Sequence, residues 1–348
     1  MTEKMNAVAV VGEKRVEVIR IDKPTPKPNE VLVHIKACGL CTWEQRVFTG
    51  EKKVPFPMVG GHEVSGEICE LGSDVDKEKY KIGAKVTPRV VKSCHSCYYC
   101  RNGQEDLCVE LNTFRMNGPE VYGMGGLAEY MAIDRSAIWV YGDEFSFETL
   151  TMTEPVACVL NSMEKGKVQM GDDVVIIGGG VMGLLHILCA RLSGARTILS
   201  EPDESRRSIA KEMGCDVVIN PLETDLQAEV RKLTDGRGAD VVFNTTAISS
   251  IAQQAISITG NAGRCVMYSS QHPDSPISVS PNWLHSSEAV VTGAVNPSVG
   301  SFDRAVKLIS KGLLDPRRLI SGVRDYHQAS KAFVEAIKPD TFRYIVSF

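Results

Sequence analysis

Hydrophobic residues follow two different patterns along this chain. Up to about residue 150 they form short runs separated by Gly and Pro residues, among them VEVIRI, EVLVHIKA, VSGEICELG and GAKVTPRVV. Short strands separated by turns are typical of a compact β-barrel or sandwich. The Pro-rich segment KPTPKPNE lies between the first two runs and is expected to connect strands. The pattern therefore predicts a first domain of β structure over residues 1–150.

A second pattern starts near residue 151, where apolar, strand-like runs alternate with helical segments. The predicted strands are DDVVIIG, RTILSEP, GADVVFNTTA and GRCVMYSS. The predicted helices are GGGVMGLLHILCARLSGA, ESRRSIAKEMG and IAQQAISIT. Such alternation favours an α/β fold with a doubly wound parallel sheet, which we predict over residues 151–290. Residues 291–348 contain two more helical patterns and the strand-like run RYIVSF, and we expect them to complete the first domain.

Length, composition and charge set limits on location and partners. The chain has 348 residues, 43% hydrophobic and 24% charged, which suits a soluble globular protein of two domains. A net charge of -4 gives no electrostatic reason to expect nucleic acid or an anionic membrane as a partner. We see no secretory signal, and no run of about 18 apolar residues predicts a membrane span. We therefore expect a cytoplasmic protein, whose thiols stay reduced.

Four of the 11 cysteines fall within the segment SCHSCYYCRNGQEDLC: Cys94, Cys97, Cys100 and Cys108. In a reducing compartment this C-x2-C-x2-C-x7-C spacing favours metal ligands over disulfides. Four thiolates would complete a tetrahedral Zn²⁺ shell with no open position, so the ion would hold a loop in shape and perform no chemistry. The alternatives are free thiols and a zinc-ribbon module for nucleic acid, which the few nearby basic residues, Lys92 and Arg101, disfavour.

The glycines of GGGVMG have the spacing G-x-G-x-x-G, at Gly178, Gly180 and Gly183. They follow a predicted strand and open a predicted helix, the context in which this motif binds a dinucleotide. Gly178 permits the tight turn, Gly180 lets the backbone approach a pyrophosphate, and Gly183 allows close packing of helix and strand. Val181 and Met182 lie in the first helical turn, whose free N–H groups suit phosphate.

Glu201 ends the next predicted strand, 18 residues beyond Gly183. A carboxylate there can accept hydrogen bonds from the adenosine ribose and would repel a 2′-phosphate, which favours NAD over NADP. Arg206 and Arg207 follow closely and are the counter-argument, because an arginine can hold a 2′-phosphate. His186, inside the apolar helix, is interpreted as a core residue.

Further candidate ligands are dispersed along the chain. Cys38 and Cys41 lie in ACGLCTWE, His62 and Glu63 in VGGHEVSGE, and Glu154 in TMTEPVA. Spacing alone cannot join ligands so far apart. Taken singly, each residue has an ordinary explanation, as a buried cysteine, a structural histidine or a surface glutamate.

Together, these features resemble those of the zinc-dependent medium-chain dehydrogenase/reductases, over essentially the whole chain. The shared features are the cysteine cluster, the G-H-E segment, the cysteine ahead of it and the glycine motif, in the same order. The resemblance implies a GroES-like β-barrel catalytic domain followed by a Rossmann domain. It also implies two zinc ions per chain, one structural and one catalytic, and a homodimer or homotetramer.

The resemblance also implies roles for individual residues. Cys41 and His62 would bind the catalytic zinc, with Cys38 as a neighbour that does not. Glu154, followed by Pro155, occupies the third ligand position and resembles the sorbitol-dehydrogenase type. Glu63 would bind the metal directly or exchange with water. Glu44 matches the acidic residue that orients the metal-bound histidine.

The chain departs from this family at the expected proton relay. Trp43 stands where many members have Ser or Thr, and Arg46 where some have His. We expect a water held by Glu154 or Glu63 to take the proton; Thr42 is the alternative. Trp43 would also place a large ring near the substrate.

The implied function is reversible, NAD-dependent oxidation of a secondary alcohol, most often a polyol or a sugar derivative. An amino alcohol or a simple alcohol is an alternative substrate. Two rival functions remain: a zinc-free quinone or enone reductase of the same architecture, and a nucleotide-binding protein without turnover.

Overall fold

The computed structural model describes residues 3–111, 121–271 and 273–348. Its strands are β1 (Lys4–Gly12), β2 (Arg15–Asp22), β3 (Glu30–Gly39), β4 (Glu63–Leu71), β5 (Lys85–Pro88), β6 (Tyr130–Asp134), β7 (Ile138–Val140), β8 (Asp173–Ile177), β9 (Arg196–Ser200), β10 (Val217–Ile219), β11 (Ala239–Asn244), β12 (Thr259–Met267), β13 (Val290–Gly293), β14 (Ile320–Asp325) and β15 (Arg343–Ser347). Its α-helices are α1 (Thr42–Thr49), α2 (Tyr98–Arg101), α3 (Phe147–Thr151), α4 (Thr153–Gly166), α5 (Val181–Leu192), α6 (Glu204–Glu212), α7 (Leu226–Leu233), α8 (Ser249–Ser257), α9 (Pro281–Ser287), α10 (Val299–Ser310) and α11 (Ala329–Ala336). Within these ranges, every helix is too short or too polar to cross a bilayer.

The chain divides into two compact units. The first comprises residues 1–157 and 298–348, and the second comprises residues 158–297. Both boundaries lie seven residues beyond the positions suggested by the hydrophobic pattern. The first falls inside α4, because the change of pattern near residue 151 marks the start of a continuous helix and not a linker.

The first unit is built on a largely antiparallel sheet in the order β14-β15-β3-β4-β5-β7, with β6 also paired to β3. β1 and β2 form a separate antiparallel pair. β3 lies in the middle of the sheet, and its apolar residues are almost fully buried. The last strand, β15, pairs with the end of β3, so the C-terminal segment belongs to this sheet.

Helix α1 is anchored in the core of this unit by Phe48. Its ring lies 5.3 Å, centroid to centroid, from that of Phe333 in α11, and both side chains are fully buried. Burial of one such aromatic side chain contributes roughly 1.5–3 kcal/mol. The contact therefore fixes the segment that begins at Cys41, the residue immediately before α1.

The second unit contains a parallel sheet in the order β10-β9-β8-β11-β12-β13. Numbered along this unit, the order is 3-2-1-4-5-6, that of doubly wound dinucleotide-binding folds. The predicted fold class is confirmed. One pair of boundaries was wrong: β12 begins at Thr259, although the sequence predicted a helix through this residue and a strand from residue 263. Thr259 pairs with Ala239 of β11, and this pairing overrides the local helical pattern.

Candidate functional site

The cysteine cluster forms a compact group of sulfur atoms. The Sγ atoms of Cys94, Cys97, Cys100 and Cys108 all lie within 4.8 Å of one another. Cys97 Sγ is 3.5 Å from Cys100 Sγ, and Cys94 Sγ is 4.0 Å from Cys100 Sγ. Zn–S bonds of about 2.3 Å in a tetrahedron separate the sulfurs by about 3.8 Å. The four cysteines are free of disulfides and have the spacing that a tetrathiolate zinc site requires.

Backbone N–H groups point at these sulfur atoms. The amide of Cys94 donates to Cys108 Sγ at 3.3 Å, and the amide of Cys97 donates to Cys94 Sγ at 3.3 Å. The amides of Cys100 and Val109 lower the pKa of Cys97 to about 6. At Cys97 these hydrogen bonds favour the thiolate, which is the form that binds zinc.

A second group of ligand atoms comprises Cys41, His62 and Glu63, whose donor atoms lie within 4.8 Å of one another. The β3–β4 pairing explains how residues so distant in sequence meet. Glu63 is the first residue of β4 and lies opposite Gly39, the last residue of β3. The two strand ends therefore place His62 and Cys41 side by side. One sulfur, one imidazole nitrogen and one carboxylate oxygen form a donor set that suits Zn²⁺.

Glu44 fixes the orientation of His62. Its Oε1 atom lies 3.2 Å from His62 Nδ1 and accepts a hydrogen bond from the amide of Gly61 at 2.9 Å. With Nδ1 engaged by Glu44, Nε2 is the nitrogen left for a metal. Gly61 has φ of +94°, and a Cβ there would lie 2.7 Å from Cys38 Sγ, so the loop before His62 requires glycine.

The charge balance of this group favours a cation. Burial alone would lower the pKa of His62, but the negative charges of Glu44 and Cys41 outweigh burial and raise the pKa well above its ordinary value. The buried Glu44 carboxylate also has one oxygen, Oε2, without a hydrogen-bond partner among the described residues. A proton on His62 relieves this excess of negative charge, and a divalent cation would do so more fully.

Glu63 forms a buried ion pair with Arg343 of β15, a residue that the sequence did not single out. Glu63 Oε2 lies 2.8 Å from Arg343 Nε, and Arg343 Nη1 donates to the carbonyl oxygen of Leu40 at 2.9 Å. Burial raises the pKa of Glu63 to about 7, although Arg343 opposes this shift. An arginine at the start of the otherwise apolar run RYIVSF is the only sequence signal that could have indicated this contact.

Glu154 lies outside the group formed by Cys41, His62 and Glu63. It is the second residue of α4 and is 6% exposed. Its charge raises the pKa values of Glu63 and Arg343, so it lies in the electrostatic neighbourhood of that group. Thr153, the residue before it, is held by hydrogen bonds to Tyr141 Oη and the Leu150 carbonyl, each 2.8 Å long.

The residues at the expected relay positions lie on α1. The Trp43 ring packs against the core of the first unit, and Lys52 Nζ lies 5.8 Å from its centroid. Arg46 Nε lies 3.9 Å from Glu51 Oε2, and Thr42 is exposed. A hydroxyl relay through position 43 is therefore absent from this chain.

The glycine loop joins β8 to α5 in the second unit. Gly178 has φ of +102°, a conformation that side chains disfavour, and Gly180 is the residue that precedes α5. A Cβ at Gly183 would collide with the carbonyl oxygen of Gly178. Val181 and Met182 form the first turn of α5 with free N–H groups, the arrangement that binds phosphate at a helix N-terminus.

Glu201 follows β9 and is 6% exposed. Its Oε2 accepts a hydrogen bond from the Gly179 amide at 2.6 Å, and its Oε1 accepts one from the Asp203 amide at 2.9 Å. Arg206 lies beside the loop, since a Cβ at Gly180 would lie 3.9 Å from Arg206 Nη1. Arg207 donates to the carbonyl oxygen of Glu201.

His186 lies inside α5, away from solvent. Its Nδ1 is 2.7 Å from the Met182 carbonyl oxygen, and its Nε2 is 3.0 Å from Ser162 Oγ. Burial lowers its pKa to about 4, so the ring is neutral at pH 7. Its interpretation as a core residue agrees with these contacts.

Two family models match the chain. The alcohol dehydrogenase GroES-like domain matches residues 27–143, and the zinc-binding dehydrogenase domain matches residues 181–311. The first match covers β3 to β7 and includes both groups of candidate metal ligands. The second covers α5 to α10 and includes Gly183 and Glu201.

Curated relatives include dehydrogenases of several alcohols. L-threonine 3-dehydrogenase of Pyrococcus horikoshii is 34% identical over 272 residues, 76% of this chain and 75% of that protein. 2-Dehydro-3-deoxy-L-galactonate 5-dehydrogenase of Pseudoalteromonas atlantica is 28% identical over 331 residues, with 94% of each chain covered. Sorbitol dehydrogenase of Bacillus subtilis is 25% identical over 343 residues, which are 97% of this chain and 94% of that protein.

Among solved structures, a candidate zinc-binding dehydrogenase from Sinorhizobium meliloti 1021, bound to NADP, is similar over the full length of both chains. Its TM-score is 0.89 at 25% sequence identity. The structure of 2R,3R-butanediol dehydrogenase from Bacillus subtilis gives a TM-score of 0.85 at 25% identity and covers 99% of each chain.

Proposed function

The chain belongs to the zinc-dependent medium-chain alcohol dehydrogenase family, and from this premise we propose that it oxidises a secondary alcohol reversibly with NAD. The observation that carries the proposal is the convergence of Cys41 with the buried residues His62 and Glu63, with Glu44 on the far nitrogen of the imidazole. Three different donor atoms converge on one point, and a further carboxylate orients the imidazole. This arrangement is typical of a catalytic zinc site with an open position.

We assign the catalytic zinc to Cys41 and His62, with Glu154 as third ligand and Glu63 as the carboxylate that binds directly or exchanges with water. When bound, Zn²⁺ supplies a Lewis acid for the alcohol oxygen, and NAD accepts the hydride. The ion pair with Arg343 holds the Glu63 carboxylate at the end of β4. Because position 43 carries no hydroxyl, the alcohol proton passes to a water held at the carboxylate of Glu154 or Glu63.

We assign a second, structural zinc to Cys94, Cys97, Cys100 and Cys108. The short sulfur–sulfur distances and the amides directed at the sulfurs support this assignment. Four thiolates leave no position for substrate, so this ion stabilises the loop that carries them.

We assign NAD as the cofactor on the strength of Glu201. Its carboxylate is held next to the glycine loop by two backbone amides, in the place where it can accept hydrogen bonds from the ribose hydroxyls. The NADP in the similar Sinorhizobium meliloti structure and the position of Arg206 make NADP the alternative.

The proposed substrates are polyols and sugar derivatives. The dehydrogenases of a galactonate derivative and of sorbitol support this class because they match nearly the whole chain. An amino alcohol is the second candidate, because the L-threonine 3-dehydrogenase relative has the higher identity. We propose a homodimer or homotetramer, a state that light scattering of the purified protein measures. We propose no nucleic-acid or membrane partner.

Two measurements test the proposal. Elemental analysis should find about two zinc ions per chain, whereas a protein without a catalytic zinc, such as an enone reductase or a nucleotide-binding protein, would contain one at most. A panel of polyols, sugar acids, sugar phosphates and amino alcohols, each with NAD and NADP, should yield reduced cofactor with at least one class. A zinc-loaded protein that binds NADH but reduces neither cofactor with any alcohol would show that the chain is not a dehydrogenase.

A further inference from the structure

Thr245 lies where the end of β8, the end of β11 and the glycine loop meet in the second unit. β11 ends at Asn244, and its neighbour β8 ends at Ile177. The amide of Thr245 donates to the Ile177 carbonyl oxygen at 3.0 Å. Its hydroxyl lies 2.8 Å from the same oxygen and 3.2 Å from the carbonyl oxygen of Gly178. Thr245 therefore binds the end of β8 through its backbone and its hydroxyl, and the same hydroxyl reaches the first residue of the glycine loop.

The packing around this hydroxyl is tight. A Cβ at Gly178 would lie 2.8 Å from Thr245 Oγ1, and a Cβ at Gly183 would lie 3.2 Å from it. The hydroxyl thus fills the space that the two glycines leave open. Thr245 is itself held in place, since Ser269 Oγ, just beyond β12, donates to its carbonyl oxygen at 2.7 Å.

The other side of the same peptide is held by Glu201. In a trans peptide the C=O and N–H groups point in opposite directions. The Gly178–Gly179 peptide directs its C=O to the Thr245 hydroxyl and its N–H to Glu201 Oε2, at 3.2 and 2.6 Å. Two side chains, each from the residue that directly follows a strand flanking β8, therefore fix the orientation of this single peptide plane.

We propose that Thr245 is a positioning residue for dinucleotide binding, which acts with Glu201 to hold the Gly178–Gly179 peptide in its binding orientation before the cofactor arrives. Glycine has the greatest conformational freedom of any residue, so an unclamped glycine loop must lose that freedom on binding. A loop that is already ordered avoids this loss and binds more tightly. The proposal rests on the assignment of this loop to NAD.

The test compares Thr245→Val with Thr245→Ser and Thr246→Val in the zinc-loaded protein. Valine keeps the shape of threonine and removes the hydroxyl, whereas serine keeps the hydroxyl. Thr246→Val is the matched control: its hydroxyl bonds Asn244 Oδ1, and the methyl group that faces Gly178 is retained in valine. NADH affinity is measured by titration calorimetry, and kcat and both KM values by steady-state kinetics.

Thr245→Val should weaken NADH binding and raise the KM for NAD about three- to tenfold, the effect of one lost hydrogen bond. The KM for the alcohol, the zinc content and kcat at saturating NAD should remain unchanged. Thr245→Ser should restore most of the affinity, and Thr246→Val should bind as the wild type does. Equal affinity in Thr245→Val and the wild type, or an equal loss in Thr246→Val, would overturn the proposal. A wild-type protein that binds neither NADH nor NADPH would refute the cofactor assignment itself.

Discussion

Arg343 and Glu63 form a buried ion pair although they lie 280 positions apart in the sequence, with Nε and Oε2 separated by 2.8 Å. Both residues are at most 3% exposed. The pairing of β15 with β3 brings the C-terminal strand beside the end of β3, and β3 in turn pairs with β4, which begins at Glu63. The last strand of the chain therefore supplies the counter-charge for a carboxylate of the proposed catalytic centre.

We expect Arg343→Met to destabilise the protein by about 3–5 kcal/mol, because it leaves the Glu63 charge buried without its partner. Urea unfolding measures this difference. The matched control is Arg324→Met, which removes a pair with Glu335 that is partly exposed, at 3.0 Å, and should cost no more than about 1 kcal/mol. Adding Glu63→Gln to Arg343→Met should recover part of the loss. Equal effects of the two arginine variants would show that burial of the Glu63 pair is unimportant.

We expect Glu154→Ala to reduce kcat at least a hundredfold while NADH affinity stays within twofold of the wild type. The carboxylate belongs to the proposed catalytic centre in the first unit, whereas the dinucleotide loop belongs to the second. Steady-state kinetics and calorimetry measure the two effects. Glu144→Ala, at an exposed position, is the control. Undiminished turnover in Glu154→Ala would remove Glu154 from the proposed catalytic site.

Local sequence patterns predicted those features whose cause is local. The apolar runs of β8 and β9, the glycine motif and the cysteine spacing each determine structure within a few residues, and the structure contains each of them. The Arg343–Glu63 pair and the contact of Thr245 with Gly178 depend on which strands become neighbours, and no local pattern determines this. β13 was missed for a related reason, since this short edge strand is half exposed and has no clear alternation.

Removal of one sulfur from the cysteine cluster tests the structural zinc. Cys97→Ala should reduce the zinc content from two ions to one and lower the free energy of unfolding by roughly 2–5 kcal/mol, as the loss of a structural cross-link does. Elemental analysis and thermal unfolding measure these effects. Cys69→Ala, an exposed cysteine outside both ligand groups, should change neither quantity. A full zinc content in Cys97→Ala would contradict the tetrathiolate assignment.

His186 should make the protein sensitive to acid. Burial lowers its pKa to about 4 in the folded state, whereas an exposed histidine has a pKa near 6.5. The unfolded chain therefore takes up a proton that the folded chain excludes as pH falls from about 6.5 to 4. This difference lowers the free energy of unfolding by roughly 3 kcal/mol across that window and has no effect above it.

The comparison of His186→Gln with the wild type isolates this effect, because zinc loss at acidic pH should destabilise both proteins alike. The glutamine variant is expected to be less stable at pH 7.5, since it loses the contacts with Ser162 and the Met182 carbonyl. Its loss of stability between pH 7.5 and 4.5 should nevertheless be smaller than that of the wild type, by about 2–3 kcal/mol. Parallel pH profiles of urea unfolding would show that His186 does not titrate as its burial requires.

Glu201 should determine the preference for NAD over NADP. Glu201→Gln removes the negative charge that repels a 2′-phosphate, and the amide oxygen of glutamine can still accept the hydrogen bond from Gly179. The ratio of NADPH to NADH affinity should therefore rise at least tenfold, mainly through tighter binding of NADPH. Arg206→Ala in the same background should reverse part of this gain, because Arg206 lies beside the loop, where its positive charge attracts a 2′-phosphate. Calorimetric titration of both cofactors measures the ratio. An unchanged ratio in Glu201→Gln would mean that the carboxylate holds the loop without selecting between the two cofactors.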